Sequence, residues 1–328
     1  MRAAVIGVGM IGSLHARVYA EHPATELVAV CDASEDRARE VGEQLGARWY
    51  AGLEELLAHE EVEVATIATP EQARPAVARA CAARGIHLML EKPLAPTLRE
   101  ADELIADLEA ARGTAAVDFM LRSEPRYAHA KQALEAGGLG DLCTIVARRR
   151  LTVVAAEQYA PWTDLLITVA IHDLDVMTWL AGPVERVYAE GVVRRCGHWG
   201  REDAVLGVLR FASGAAGSFE TSWALPATTP TPLDVSLHVV GTEGGVFVDG
   251  AHHGLRVVDS GVYSEPDLAH WPVGPTGVEG ALRAHVGRFV DAVQTGAPPP
   301  MTLAEARYAQ QLAEALKESL RTGQAVAP

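Results

Sequence analysis

The chain reads as an α/β protein in two parts. The first, over residues 1–120, is a doubly wound parallel sheet of the Rossmann type. The second, over 121–328, is an α+β domain on a large, open, mostly antiparallel sheet. Three observations predict this. Up to residue 120, short unbroken apolar runs alternate with longer amphipathic segments. Beyond about 121 the runs follow one another and alternate apolar with polar residues. A glycine triplet, Gly7, Gly9 and Gly12, follows directly on the first run.

The runs of the first part lie at 3–6, 27–30, 64–68, 87–90 and 115–117. Unbroken hydrophobicity is what a strand covered on both faces requires. The segments at 34–45 and 71–84, rich in Ala, Glu and Arg, have helical composition, and a βαβα order implies a parallel sheet. In the second part, strands are expected at 142–153, 184–193, 205–211, 215–223, 235–240 and 245–248. In the third of these, Val205, Gly207, Leu209 and Phe211 oppose Leu206, Val208 and Arg210 as in a half-buried antiparallel strand. Helices are expected at 166–180, 279–294 and 302–320, the last two separated by Pro298, Pro299 and Pro300. The closing helix is a candidate to pack back on the first domain.

The 328 residues are 49% hydrophobic and 22% charged, a globular composition that excludes a largely disordered or fibrous chain. With 28 basic and 43 acidic residues the net charge is −15, which opposes nucleic acid and anionic membrane surfaces. Arg148, Arg149 and Arg150 form the one basic cluster. In a strand they face alternate ways, so at most two could meet an anion. Cys31, Cys81, Cys143 and Cys196 have neither disulfide-framework nor zinc spacing, and His252-His253 lacks a third ligand, so no metal is expected. The first apolar run is broken by glycines, unlike a signal peptide, and no stretch reaches about 18 apolar residues. A cytoplasmic location is expected.

Gly7-Val8-Gly9-Met10-Ile11-Gly12 joins the first strand to a helix, and Asp32 ends the second strand. In that context the first glycine permits the turn and the second lets backbone approach a pyrophosphate. The third lets helix and strand pack. Asp32 is placed to accept hydrogen bonds from the adenosine ribose and to repel a 2′-phosphate, which favours NAD over NADP. Arg37 and Arg39 lie near in sequence but at the spacing of a solvated helix face.

Glu91-Lys92-Pro93 follows the run at 87–90, and Thr69-Pro70 follows that at 64–68, both at the strand ends where such folds bind ligands. With His172-Asp173-Leu174-Asp175 and Gly241-Thr242-Glu243-Gly244, these motifs resemble the glucose-fructose oxidoreductase and inositol dehydrogenase (Gfo/Idh/MocA) family over nearly the whole chain. The resemblance implies hydride transfer between the nicotinamide and a carbinol or keto carbon of a sugar, sugar nucleotide or cyclitol. By this likeness Lys92 binds the reacting hydroxyl and stabilises charge on its oxygen, and His172 exchanges the hydroxyl proton. Thr69, Pro70, Glu91, Lys92 and Pro93 line the cofactor. The likeness also implies a homodimer or homotetramer assembled sheet on sheet.

Two positions depart from the family pattern. Thr168 stands where an aspartate often precedes the histidine by four residues. On a regular helix it shares the face of His172 but brings no charge. Asp164 and Tyr159 are candidate substitutes, and Asp175 is a candidate substrate ligand or helix brace. Arg74 stands where a histidine is common, and reads as a solvated helix charge or a contact to an anion. Trp162 and Trp223 are candidates to stack on a sugar ring or to fill core. Two other functions stay open: a noncatalytic dinucleotide-sensing regulator, and an enzyme using NAD transiently for epimerisation or glycoside cleavage.

Overall fold

A computed structural model describes residues 1–259 and 261–328. Contacts divide the chain into two units, Met1–Ser123 with Trp271–Arg307, and Glu124–His270 with Tyr308–Pro328. Each unit is built around one six-stranded sheet.

In the first unit the chain runs β1 (Arg2–Ile6), α1 (Met10–Glu21), β2 (Glu26–Cys31), α2 (Glu35–Leu45), β3 (Arg48–Tyr50), α3 (Leu53–His59), β4 (Val64–Ile67), α4 (Arg74–Ala82), β5 (His87–Leu90), α5 (Leu98–Ala110) and β6 (Ala115–Val117). The strand order β3-β2-β1-β4-β5-β6, all parallel, reverses direction between β1 and β4. Ligands of such sheets bind outside the strand ends at that reversal. Local chemistry sets the helix starts. Ser34 caps α2, and Thr97 caps α5 by accepting from the Glu100 amide at 3.2 Å.

The second unit begins with α6 (Pro125–Glu135), capped by Glu124, which accepts from the amides of Arg126 and Tyr127. Then come β7 (Leu142–Thr152), α7 (Val153–Tyr159), a π-helical turn (Leu166–Ala170), α8 (Ile171–Ala181), β8 (Val184–Val192), β9 (Ala204–Phe211), β10 (Ala216–Leu225), β11 (Leu233–Gly241) and β12 (Gly245–Asp249). The sheet order is β12-β11-β7-β10-β9-β8, with β7 and β10 parallel and the other neighbours antiparallel. A hairpin, β13 (Val257–Asp259) with β14 (Val262–Ser264), follows.

The chain then returns to the first unit through β15 (Val273–Gly274), β16 (Gly277–Val278) and α9 (Gly280–Thr295), and α10 (Leu303–Thr322) begins there and ends in the second. A single division near residue 120 misses this return: α9 joins the first core, and the first turn of the closing helix also meets the first unit, where Arg307 pairs with Asp102 and Glu305 with Arg122. The reason α9 does so is its apolar stripe. Ala281, Leu282, Val286, Phe289 and Val290 are buried in one cluster with Val5, Tyr19, Met89 and Ala116. The single helix expected at 166–180 is likewise divided by its π turn.

Candidate active site

The turn after β1 has the geometry its glycines imply. Gly7 has φ +87°, and a Cβ there would lie 2.7 Å from the Ala68 carbonyl carbon. At Gly12 a Cβ would come within 1.8 Å of the Gly7 carbonyl oxygen, so both positions require glycine for packing. Gly9 differs, because a Cβ there would meet nothing within 4 Å. It is also the N-cap of α1, and no side chain caps that helix. Unsatisfied N–H groups thus face open space at the positive end of a helix dipole, with the exposed Met10 and the half-buried Ile11 in the first turn.

Asp32 is fixed beside this turn. Its Oδ2 accepts from the Val8 amide and its Oδ1 from the Ser34 amide, each at 2.9 Å. Arg37 lies on a solvated helix face, as its spacing suggested, and from there its Nη2 stands 3.2 Å from Oδ1 as a partner of the carboxylate. Ionised Asp accepts about four hydrogen bonds, which leaves capacity on Oδ2 for a ribose hydroxyl.

Beyond β4 and β5, Arg74 ties two turns together. It is buried, donates through Nη2 to the Thr69 carbonyl at 2.6 Å and through Nη1 to the Pro93 carbonyl, and is neither solvated nor placed for an anion. Burial pulls its guanidinium down to about 10. The Lys92-Pro93 peptide is cis. Lys92 is half-buried, and desolvation holds its ammonium below the usual lysine value, with Arg74 acting in the same sense and the carboxylates of Glu91, Glu71 and Asp118 opposing. Thr69 Oγ1 is buried without a protein partner next to the exposed Pro70.

Behind Glu91 lies a charged cluster that sequence reasoning missed. The fully buried His15 Nε2 is 3.0 Å from Asp118 Oδ2 and 3.5 Å from Glu91 Oε1, while Nδ1 faces Thr66 Oγ1 at 3.3 Å. Desolvation opposes its proton, but the two carboxylates prevail and raise the imidazole to about 9. Glu91 Oε2 in turn accepts from the Lys92 amide at 3.1 Å. Among the described residues these three alone have metal-ligand types at ligating separation. The imidazolium offsets one of the two negative charges. A signal existed: His15 falls on the stripe of α1 that carries Gly12, Ala16 and Tyr19, a polar residue among core positions.

In the second unit, His172 lies half-buried in the first turn of α8, directly after the π turn, in which the Ile171 amide bonds back to the Leu166 carbonyl. Such wide turns frequently mark functional positions. Thr168 lies inside this turn, so its spacing to His172 is not that of a regular helix. Thr168 Oγ1 donates to Thr163 Oγ1 at 2.9 Å. Asp164 caps this turn by accepting from the Ile167 amide at 2.9 Å, and it pairs with Lys317 of α10 at 2.8 Å. Its charge therefore anchors α10 rather than replacing the family aspartate. Tyr159 is half-buried and stands edge-on to the exposed Trp162, with ring centroids 5.7 Å apart. Asp175, one turn after His172, is buried.

Asp173 forms a buried two-pronged pair with Arg149, at 2.9 and 3.0 Å, which fastens α8 to β7. Arg148 pairs with Asp234, and Arg150 with Glu220 and Asp234, so each arginine of the cluster has a carboxylate partner. Trp223 is core, its indole donating to the Glu202 carbonyl at 2.9 Å.

The first unit fits a dinucleotide on its own geometry: an uncapped helix end, the space at Gly9, the carboxylate of Asp32 and the buried hydroxyl of Thr69. The comparisons agree. Residues 1–119 match the model of an oxidoreductase family with an NAD-binding Rossmann fold, and 127–247 match the GFO/IDH/MocA C-terminal domain. The chain is 28% identical to a scyllo-inositol 2-dehydrogenase (NAD(+)) of Bacillus subtilis, over 99% of this chain and 96% of that protein. It is 27% identical to a myo-inositol 2-dehydrogenase of Thermotoga maritima, over 99% and 98%. A probable dehydrogenase of Thermotoga maritima with a solved structure superposes with a TM-score of 0.85 at 25% identity, over 100% of this chain and 98% of that one. From fold, glycine turn and both family domains in order, the chain belongs to the GFO/IDH/MocA family of NAD-dependent oxidoreductases.

Proposed function

We propose that the protein is a dehydrogenase that oxidises a ring carbinol of a cyclitol or related sugar with NAD, and reduces the corresponding ketone with NADH. The observation that carries this reading is Lys92. A half-buried ammonium, its proton destabilised by desolvation, stands on a turn at the carboxyl edge of the parallel sheet, where the uncapped α1 and Asp32 receive the cofactor. The likeness to two inositol 2-dehydrogenases along nearly their whole length supports the substrate class.

NAD bound to the first unit supplies the hydride acceptor. Gly7, Gly9, Gly12 and the first turn of α1 hold its pyrophosphate, and Asp32 its adenosine ribose. Thr69 and Pro70, with Glu91, Lys92 and Pro93, flank the nicotinamide end. Lys92 donates a hydrogen bond to the reacting hydroxyl and stabilises negative charge on that oxygen. His172 accepts the hydroxyl proton in oxidation and returns it in reduction, a task suited to an imidazole. Asp175, Thr168 and Tyr159 bind substrate hydroxyls or orient His172.

The protein works as a homo-oligomer in the cytoplasm. Support for assembly comes from the second unit's sheet, where Tyr188, Val208, Ser218, Val146, His238 and Phe247 form one cross-strand row. Phe247, Val208 and Val146 in this row are exposed, as is Leu206 one row on, and a second copy would cover them. Among the described residues no helix is long and apolar enough to cross a membrane.

The function is tested by mixing purified protein and NAD with myo-, scyllo- and chiro-inositol, hexoses and sugar nucleotides, following reduced nicotinamide and product. Turnover on a cyclitol or sugar is expected. Cofactor binding with no chemistry on any member would favour the sensing reading, and conversion without accumulated NADH the transient use of NAD.

A further inference from the structure

We propose that Arg74 is a positioning residue for Lys92: it clasps the Lys92-Pro93 turn to Thr69 and sets a positive charge beside the lysine. The inference rests on the catalytic reading of Lys92 and adds to it a residue that assigns that lysine its place and its protonation.

The geometry has two parts. Arg74, on the first turn of α4, is buried, and its two terminal nitrogens go to carbonyls of different turns, Thr69 after β4 and Pro93 after β5. A guanidinium presents such a fork in one rigid plane, whereas an ammonium is a point donor on a flexible stem. No carboxylate pairs with Arg74 among the described residues. Its buried Nε is without a partner, so its charge is left to act on its surroundings.

The second part is electrostatic. The groups that bear on Lys92 are Glu91, Glu71 and Asp118, which favour its ammonium, and Arg74, which disfavours it. Two cations that bear on one another in a poorly hydrated site repel, and the lysine is the readier to yield a proton. A lysine eased toward its neutral form gives up a proton more readily, which suits a group that shares hydrogen bonds with a reacting hydroxyl.

The chain contains only three lysines, Lys92, Lys131 and Lys317, so selective labelling of lysine Cε yields three signals whose pH titrations can be followed in the intact protein. Lys92→Met identifies the Lys92 signal by its loss. Arg74→Gln is expected to raise the Lys92 midpoint, since an opposing cation is removed, and to leave Lys131 unmoved. Arg74→Lys, which keeps charge but not the fork, is expected to leave the midpoint near that of the wild type and to weaken NAD by about ten-fold, as for loss of one well-placed hydrogen bond. Should Arg74→Gln fail to fold, Arg74→His replaces it, because its imidazole is uncharged over the alkaline range where lysine titrates. An unchanged Lys92 midpoint in a folded, uncharged variant would overturn the electrostatic role. NAD affinity unchanged in Arg74→Lys would overturn the clasp. The titration needs no substrate: a shifted midpoint without turnover would refute the dehydrogenase and spare this inference, and turnover with an unmoved midpoint would do the reverse.

Discussion

Replacing His15 by glutamine should flatten the pH dependence of stability between neutrality and pH 9. The imidazole is fully buried, 3.0 Å from Asp118 and 3.5 Å from Glu91, and its proton is held to about pH 9 against an ordinary value of 6.5. A group whose affinity for protons is raised by folding stabilises fully below its unfolded value, and the contribution is lost as pH rises through the folded one. From 6.5 to about 9, the loss is on the order of 3 kcal/mol. Burial depresses His22, His87 and His285 instead, so their contributions are lost as pH falls below the usual imidazole value, outside this window. Denaturant midpoints measured from pH 6 to 10 are expected to decline in the wild type and to stay level in His15→Gln up to about pH 9. Parallel curves would show that His15 is neutral in the folded protein and that the Glu91 turn is not braced by a buried imidazolium.

Further outcomes follow from the same geometry. Gly12→Ala drives a Cβ to 1.8 Å from the Gly7 carbonyl oxygen and should destabilise the protein by about 1–3 kcal/mol or more, read by denaturation. Gly9→Ala meets no atom within 4 Å and should cost no more than about 1 kcal/mol, yet weaken NAD at least about ten-fold in a binding titration. Equal effects of the two would contradict the placement of the cofactor at Gly9. Asp32→Ala removes the ribose acceptor and releases Arg37, now 3.2 Å from the carboxylate, toward a 2′-phosphate; NAD should bind more weakly and NADP more tightly in parallel titrations. Arg149→Met strands Asp173 in the interior and should lower unfolding free energy by about 3–5 kcal/mol; a stability equal to the wild type would show that this pair does not secure α8.

Much of this architecture was legible because its signals are local. Unbroken runs such as Val64–Ile67 announce strands buried on both faces, and the spacing of Gly7, Gly9 and Gly12 announces the first turn. What escaped is either too short or too distant. Arg48–Tyr50 is a three-residue strand with no periodicity to read, and the α7 segment Val153–Tyr159 begins where an apolar strand pattern ends. The π turn at Leu166–Ala170 breaks a spacing that sequence can only assume regular. Lys317 meets Asp164, and His15 meets Asp118, across long stretches of chain, and no composition signals such partners. Arg74 is the instructive failure. An arginine on a helix is ordinarily solvated, and only the two carbonyls it donates to, those of Thr69 and Pro93, explain its burial.

Under the proposed function, hydride passes directly from a carbinol carbon to NAD while Lys92 supports the reacting oxygen. The measurement that tests it most directly is incubation of the protein with NAD and an inositol carrying deuterium on its ring carbons, followed by mass analysis of the reduced cofactor, in the wild type and in Lys92→Met. Labelled NADH is expected from the wild type, and from Lys92→Met a rate lower by at least about 100-fold with NAD still bound. Reduced cofactor without label, or undiminished transfer in Lys92→Met, would contradict it.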